Sequence, residues 1–136
     1  MIPAKDQTLK INSNPQSLRL VERLIEDVCQ IYNLNEDCYG NILVAVTEAV
    51  NNAIYHGNKG NIEKMVKIGF EVDPQELVFS VTDEGPGFDY QSLPDPTDPK
   101  NIDKINGRGV FLMTSLSDSI KFDKNGSQVS IGFKYR

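Results

Sequence analysis

Glu48 and Asn52 stand four residues apart in a stretch, Glu36 to His56, that reads as one helix, so their side chains share a face. A carboxylate there can act as a general base or order a water. A carboxamide oxygen there is a hard donor suited to Mg²⁺, which prefers oxygen and keeps several waters. Asn41 and Ala45 fall on the same strip. Asp83 ends an apolar strand and is followed by Glu84-Gly85-Pro86-Gly87. An ionised Asp accepts hydrogen bonds and donates none, so it suits an exocyclic amine over a carbonyl, hence adenine over guanine. The glycines let backbone approach a flat ring or adopt positive φ. Third, Gly107-Arg108-Gly109 is expected to open a short helix from Val110 to Leu116. Glycines at a helix N-terminus expose N–H groups, and the dipole there favours phosphate. Taken singly, each has a plainer reading: a solvated helix face, a tight turn, a flexible hinge before a capped helix.

Rival nucleotide motifs are missing. There is no GxxxxGK followed by Ser or Thr, and no GxGxxG after the first strand. His56 is the sole histidine, which excludes a triad or zinc site built on several histidines. It reads as a structural residue at a helix end.

The elements that must carry these residues follow from periodicity. Gln7 to Asn12 reads as an edge strand with Leu9 and Ile11 on one side. Ser13-Asn14-Pro15 starts a helix whose apolar positions are Leu18, Val21, Leu24, Ile25, Val28 and Ile31. Asn33-Leu34-Asn35 breaks it, and Asn35 caps the second helix, whose apolar face is Ile42, Leu43, Val46, Ala49, Val50, Ala53 and Ile54. Gly57 is a natural C-cap. Lys64 to Val72 and Glu76 to Asp83 alternate and form a hairpin through Asp73-Pro74-Gln75. Gly85 to Asn106 holds four prolines and few apolar residues, the pattern of a long surface loop or lid. Ile120–Phe122 and Gln128–Tyr135 close the chain as a second hairpin through Lys124-Asn125-Gly126. Hairpins with helices grouped between them predict an α+β fold, an antiparallel-rich sheet covered by helices on one face.

With 136 residues, 39% hydrophobic and 24% charged, the chain fits one globular domain. The net charge of −5 argues against nucleic acid or an anionic membrane as partner, yet leaves room for a nucleotide held by local dipoles. Cys29 and Cys38 lack ligand spacing and read as reduced thiols, which fits a cytoplasmic location. No signal-peptide pattern or membrane-spanning apolar run is seen.

Glu48 to Asn58, Glu-Ala-Val-Asn-Asn-Ala-Ile-Tyr-His-Gly-Asn, resembles the N-box of the histidine-kinase, gyrase and MutL type (GHKL) ATPases. Asp83-Glu84-Gly85-Pro86-Gly87-Phe88 resembles their first glycine box, and Gly107-Arg108-Gly109-Val110-Phe111-Leu112-Met113 their second. Within that superfamily the compact form is similar to the bacterial anti-sigma factor serine kinases. The resemblance implies a Bergerat-type two-layer α/β sandwich with a mixed, mostly antiparallel sheet. It implies one domain over 1–136 with an ATP lid at about 88–106. It implies Glu48 as general base or water-positioning residue, Asn52 on Mg²⁺, and Asp83 on the adenine amine. Gly85 and Gly87 would admit the purine. Gly107, Arg108, Gly109 and Val110 belong to the phosphate-binding box, and Ser127 supports the adenine site.

The function implied is an ATP- and Mg²⁺-dependent protein serine kinase. Its partners would be a sigma factor, which it sequesters, and an anti-sigma factor antagonist with a STAS-like fold, which it phosphorylates. A homodimer is implied as well. The boxes also fit a nucleotide-gated binding module without phosphate transfer. The catalytic part of a two-component histidine kinase fits less well, because no preceding helix pair with an acceptor histidine is seen.

Overall fold

Two asparagines set where the first helices begin. In the computed structural model, which describes residues 8–86 and 105–135, Asn14 is extended and its side chain accepts from the Gln16 N–H. A short 3₁₀ turn at Pro15–Ser17 leads into α1, Leu18–Ile31. Asn35 caps α2, Glu36–Asn52, by accepting from the Cys38 N–H at 2.8 Å, and Glu36 and Asp37 sit favourably in its first turn. The helix ends in a π-helical turn, Ala53–Gly57.

Five strands follow the alternation in the sequence: β1 Thr8–Asn12, β2 Met65–Val72, β3 Glu76–Thr82, β4 Ser119–Asp123 and β5 Gln128–Lys134. Their order is β1-β2-β3-β5-β4, so β1 is an edge strand as expected. Every pair is antiparallel, so among the described residues the sheet is antiparallel throughout rather than mixed. Asp73 makes the β2–β3 turn by accepting from the N–H groups of Gln75 and Glu76 at 2.8 and 2.7 Å. Lys124 and Gly126, with φ of 52° and 93°, make the β4–β5 turn.

Register puts one apolar row on each level of a single face: Ile68, Val81 and Val129, then Phe70, Phe79 and Ile131. All six are buried, and the rings of Phe70 and Phe79 lie 5.3 Å apart. The opposite face carries Lys67, Ser80, Thr82 and Ser130. α2 lies at the centre of the helical layer and buries Ile42, Ala45, Val46, Ala49, Val50, Ala53 and Ile54, while Leu43 is only partly buried. α3, Ile105–Leu116, packs chiefly on α2.

Two expectations on helix faces change. Ile31 is 42% exposed, because the buried stripe of α1 runs Val21, Ile25, Val28 and on to Tyr32, which packs its ring on Phe70 and Tyr135. Ala45 is fully buried, so it belongs to the core and does not extend the Glu48–Asn52 strip. Gly57 has no positive φ. The left-handed residues come later, at Lys59 and Gly60, so Gly57 is not the C-cap.

These contacts set an order of mutational costs. Phe79→Ala is expected to destabilise by about 3–5 kcal/mol, and Asn35→Ala by about 1 kcal/mol. Urea melts of both variants against the native chain check the ranking.

Candidate functional site

β3 ends at Thr82 and delivers Asp83 to the floor of a cleft. Backbone bonds fix the position of this residue. Its N–H donates to the Ser127 carbonyl at 2.9 Å, and its carboxylate accepts from the Gly85 N–H at 2.8 Å. The carboxylate also presses on the end of α2. A Cβ on Gly57 would lie 2.2 Å from its Cγ, and one on Gly85 would lie 2.0 Å from the Gly57 carbonyl oxygen. Both glycines are therefore required by close approach. Burial pushes the Asp83 carboxyl above its ordinary value, more strongly than the Gly85 bond and the charge of Lys64 lower it.

The cleft around Asp83 is apolar. Ala49, Ala53, Val81, Met113, Phe122 and Val129 form its walls, and Gly126 and Ser127 close one side. Ser127 donates its hydroxyl to the Lys124 carbonyl at 2.8 Å, which holds the turn. A flat, mostly apolar ring bearing one amine suits such walls and such a floor.

A second, more open cleft adjoins it. Glu48, Asn51, Asn52, Tyr55, His56, Gly109 and Leu112 line it. Asn52 and His56 line both clefts. Glu48, Asn52 and His56 follow one another at four-residue steps along α2 and its last turn, so one helix face runs from the carboxylate of Glu48 to the cleft of Asp83. Among the described residues no group of three or more His, Cys, Asp or Glu could hold a metal. A metal ion here would take Asn52 as its protein oxygen and draw its other ligands from phosphate and water, the habit of Mg²⁺.

The second glycine box lies differently from the expectation. α3 begins at Ile105, so Gly107 and Arg108 fall in its first turn and Gly109 inside it, rather than all three before the helix. The N–H groups at its start, through that of Gly107, still lack intrahelical partners. Gly109 has a packing reason: a Cβ there would lie 2.5 Å from the Asn52 amide nitrogen. Val110 lines neither cleft and packs against the core. Gly87 and the lid positions 88–104 lie outside the described residues, while Ile105 and Asn106 are helical.

The structure thus gathers Asp83, Ser127 and Asn52 around one cleft and Glu48, Asn52 and Gly109 around the next, while Gly85 bonds Asp83 but lines neither cleft. Several of the lining residues carried no functional flag in the sequence. His56 was within reach of the four-residue rule that picked out Glu48 and Asn52. Phe122 was within reach of strand alternation, since it pairs with Val129. Met113 and the clearance at Gly57 depend on tertiary packing and had no local signal.

A family model of the histidine kinase-like ATPase domain matches residues 11–133. The chain belongs to this family. Serine-protein kinase RsbW of Bacillus subtilis is 28% identical over 129 residues, covering 90% of this chain and 80% of that protein. RsbW of Staphylococcus epidermidis is 28% identical over 134 residues, covering 93% and 84%. In fold, the histidine kinase-like ATPase domain is similar to a solved structure of the RsbU and RsbW domains of Rv1364c from Mycobacterium tuberculosis. The TM-score is 0.66 at 13% identity, over 98% of this chain and 33% of that one. Among the described residues no helix is long and apolar enough to cross a membrane.

Asp83 yields a prediction with a definite sign. Its folded carboxyl binds a proton more readily than the ordinary value of 3.8, so its contribution to stability is greatest below pH 3.8 and is lost as pH rises through the raised folded value. Asp83→Asn removes the partly buried charge and keeps an acceptor for Gly85. The variant is expected to melt higher than the native chain at pH 7, with the gap narrowing toward pH 4, and to lose adenine-nucleotide binding. Thermal melts at the two pH values and calorimetry with ATP check both halves.

Proposed function

We propose that this histidine kinase-like ATPase domain is an ATP-dependent protein serine kinase of the anti-sigma factor type. The observation that carries the proposal is the continuity of the two clefts through Asn52 and His56. A nucleotide with its adenine amine on Asp83 and its ring between Ala53 and Met113 extends its phosphates past Asn52 toward Glu48. The relatives named serine-protein kinase support the reaction class.

The residues take these roles in the proposal. Asp83 selects the amine because an ionised carboxylate cannot donate to a 6-oxo purine. Gly85 and Gly87 admit the ring, and Ser127 holds the turn beside it. Asn52 supplies the oxygen for Mg²⁺, which neutralises phosphate charge when bound. Free N–H groups at the start of α3, ending with that of Gly107, favour the phosphates, and Arg108 follows them in the same turn. Gly109 lets α3 come close to Asn52, and Val110 anchors that helix in the core. Glu48 accepts the proton of a serine hydroxyl as its oxygen bonds the γ-phosphorus and the bond to the β–γ bridging oxygen breaks, leaving ADP. Positioning and charge neutralisation supply most of such a rate.

The proposed acceptor is a serine of a STAS-type anti-sigma factor antagonist, and the second partner is a sigma factor bound until the antagonist displaces it. A homodimer acting in the cytoplasm, each protomer one domain over 1–136 with a lid near 88–106, completes the proposal.

The test mixes the chain with γ-labelled ATP, Mg²⁺ and a candidate antagonist. Label is expected on serine. Glu48→Ala is expected to lower transfer by about 10²- to 10⁴-fold while ATP affinity stays within about threefold. Asn52→Ala is expected to lose Mg²⁺-dependent ATP binding. Tight ATP binding with no transfer by the native chain defeats the kinase assignment and leaves a nucleotide-gated binding module.

A further inference from the structure

Ser13 and Asn58 are the buried polar residues among the described ones, and Asn58 is 1% exposed. It directly follows Gly57, at the end of the π-helical turn. An amide this deep must be satisfied at each of its atoms. Its Oδ1 accepts from the Glu84 N–H at 2.8 Å. Its Nδ2 donates to the Ser13 hydroxyl oxygen at 2.8 Å and to the Met65 carbonyl at 3.0 Å. The orientation of the amide is fixed by its partners, since a backbone N–H can only donate and a carbonyl can only accept.

These bonds join four separate segments. Asn58 sits at the end of the α2 unit and donates its own N–H to the Ala53 carbonyl at 2.8 Å. Ser13 lies between β1 and α1, and bonds the Lys64 carbonyl through its hydroxyl at 2.7 Å. Met65 opens β2 and donates its N–H to the Glu84 carboxylate. Glu84 is the residue after Asp83. The peptide N–H on one side of Asp83 is held by Ser127 and the next one by Asn58. With both ends tied, the carboxylate has little freedom to turn.

We propose that Asn58 is the positioning residue for purine selectivity: its buried amide clamps the Asp83–Glu84 turn and so aims the Asp83 carboxylate into the ring cleft. This rests on the assignment of adenine to that cleft. Asn58 lines neither cleft, so its effect on a ligand passes through Asp83. General loosening of the fold would weaken every nucleotide alike. Loss of aim weakens only the contact that distinguishes a 6-amine from a 6-oxo group.

The experiment measures Kd for ATP and for inosine triphosphate, which carries the 6-oxo group, by calorimetry on the full chain with Mg²⁺. The native chain is expected to prefer ATP by at least about 100-fold, because an acceptor-only floor faces an acceptor in the wrong ligand. Asn58→Leu, of similar volume, is expected to lower that preference by about tenfold or more, with inosine triphosphate affinity within about threefold of native. A folded Asn58→Leu protein that keeps the native ratio overturns the proposal, whatever its melting temperature. If Asn58→Leu gives no folded protein, Ser13→Ala decides, since it removes one support of the amide and leaves Glu84 bonded. Its ratio is expected to fall by about threefold, and an unchanged ratio overturns the proposal. Lack of ATP preference in the native chain overturns the adenine assignment itself, and the proposal with it. That failure is distinguished by appearing without any substitution.

Discussion

The site depends on one close approach, that of the last turn of α2 to the end of β3. Gly57 meets the Asp83 carboxylate where a Cβ would sit 2.2 Å from its carbon, and Gly85 meets the Gly57 carbonyl just as tightly. Separating the two elements by the width of one methyl group would open the floor of the ring cleft to water. The π-helical turn at Ala53–Gly57 serves this approach, because its wider winding brings Gly57 and Asn58 to β3 with Ala53 and Ile54 still buried. The core beneath is what makes the approach rigid. Phe70, Phe79 and Ile131 fill the level below, and small residues on α2, Ala45, Ala49 and Ala53, keep the helix close to its neighbours.

The same approach explains why the floor is electrostatically uncomfortable. Burial raises the affinity of Asp83 for a proton, although the Gly85 N–H and the charge of Lys64 act the other way. A partly desolvated carboxylate with few donors of its own has unused acceptor capacity. An amine entering the cleft fills it. In the proposed role, stability and recognition would pull in opposite directions at Asp83, as is common where a binding group must stay under-satisfied until its ligand arrives.

Much of this was legible in the sequence. Alternation located β2, β3 and β5, and the Ser13-Asn14-Pro15 start and the Asn35 cap placed α1 and α2 within a few residues. Four-residue spacing singled out Glu48 and Asn52 and the end of an apolar strand singled out Asp83, because short-range spacing maps directly onto helix faces and strand ends. Tertiary packing supplied the rest. Gly57 carries the local signature of a C-cap, but its backbone stays right-handed and the left-handed turn falls on Lys59 and Gly60. Gly107 and Gly109 look like a loop before a helix, yet α3 starts at Ile105, because close packing on Asn52 rewards a glycine inside the helix. Asn58 gives no sign in the sequence that it is buried. Its bonds reach residues 45 and 26 positions away.

In the proposed reading α2 separates recognition from chemistry along its length. Its last turn, with Gly57 and Asn58, shapes the enclosed ring cleft, and one to two turns earlier Asn52 and Glu48 face the open one. The more enclosed end is tied to three other segments through Asn58, which would suit it to hold a ring in one pose. The open end leaves Glu48 half-buried beside the exposed ring of Tyr55, accessible enough for its proposed role as a base toward a hydroxyl carried on another macromolecule. A small-molecule kinase would gain by enclosing that carboxylate too. The contrast between a closed floor under Asp83 and an open approach to Glu48 is thus the feature of this helix that favours a protein hydroxyl as acceptor.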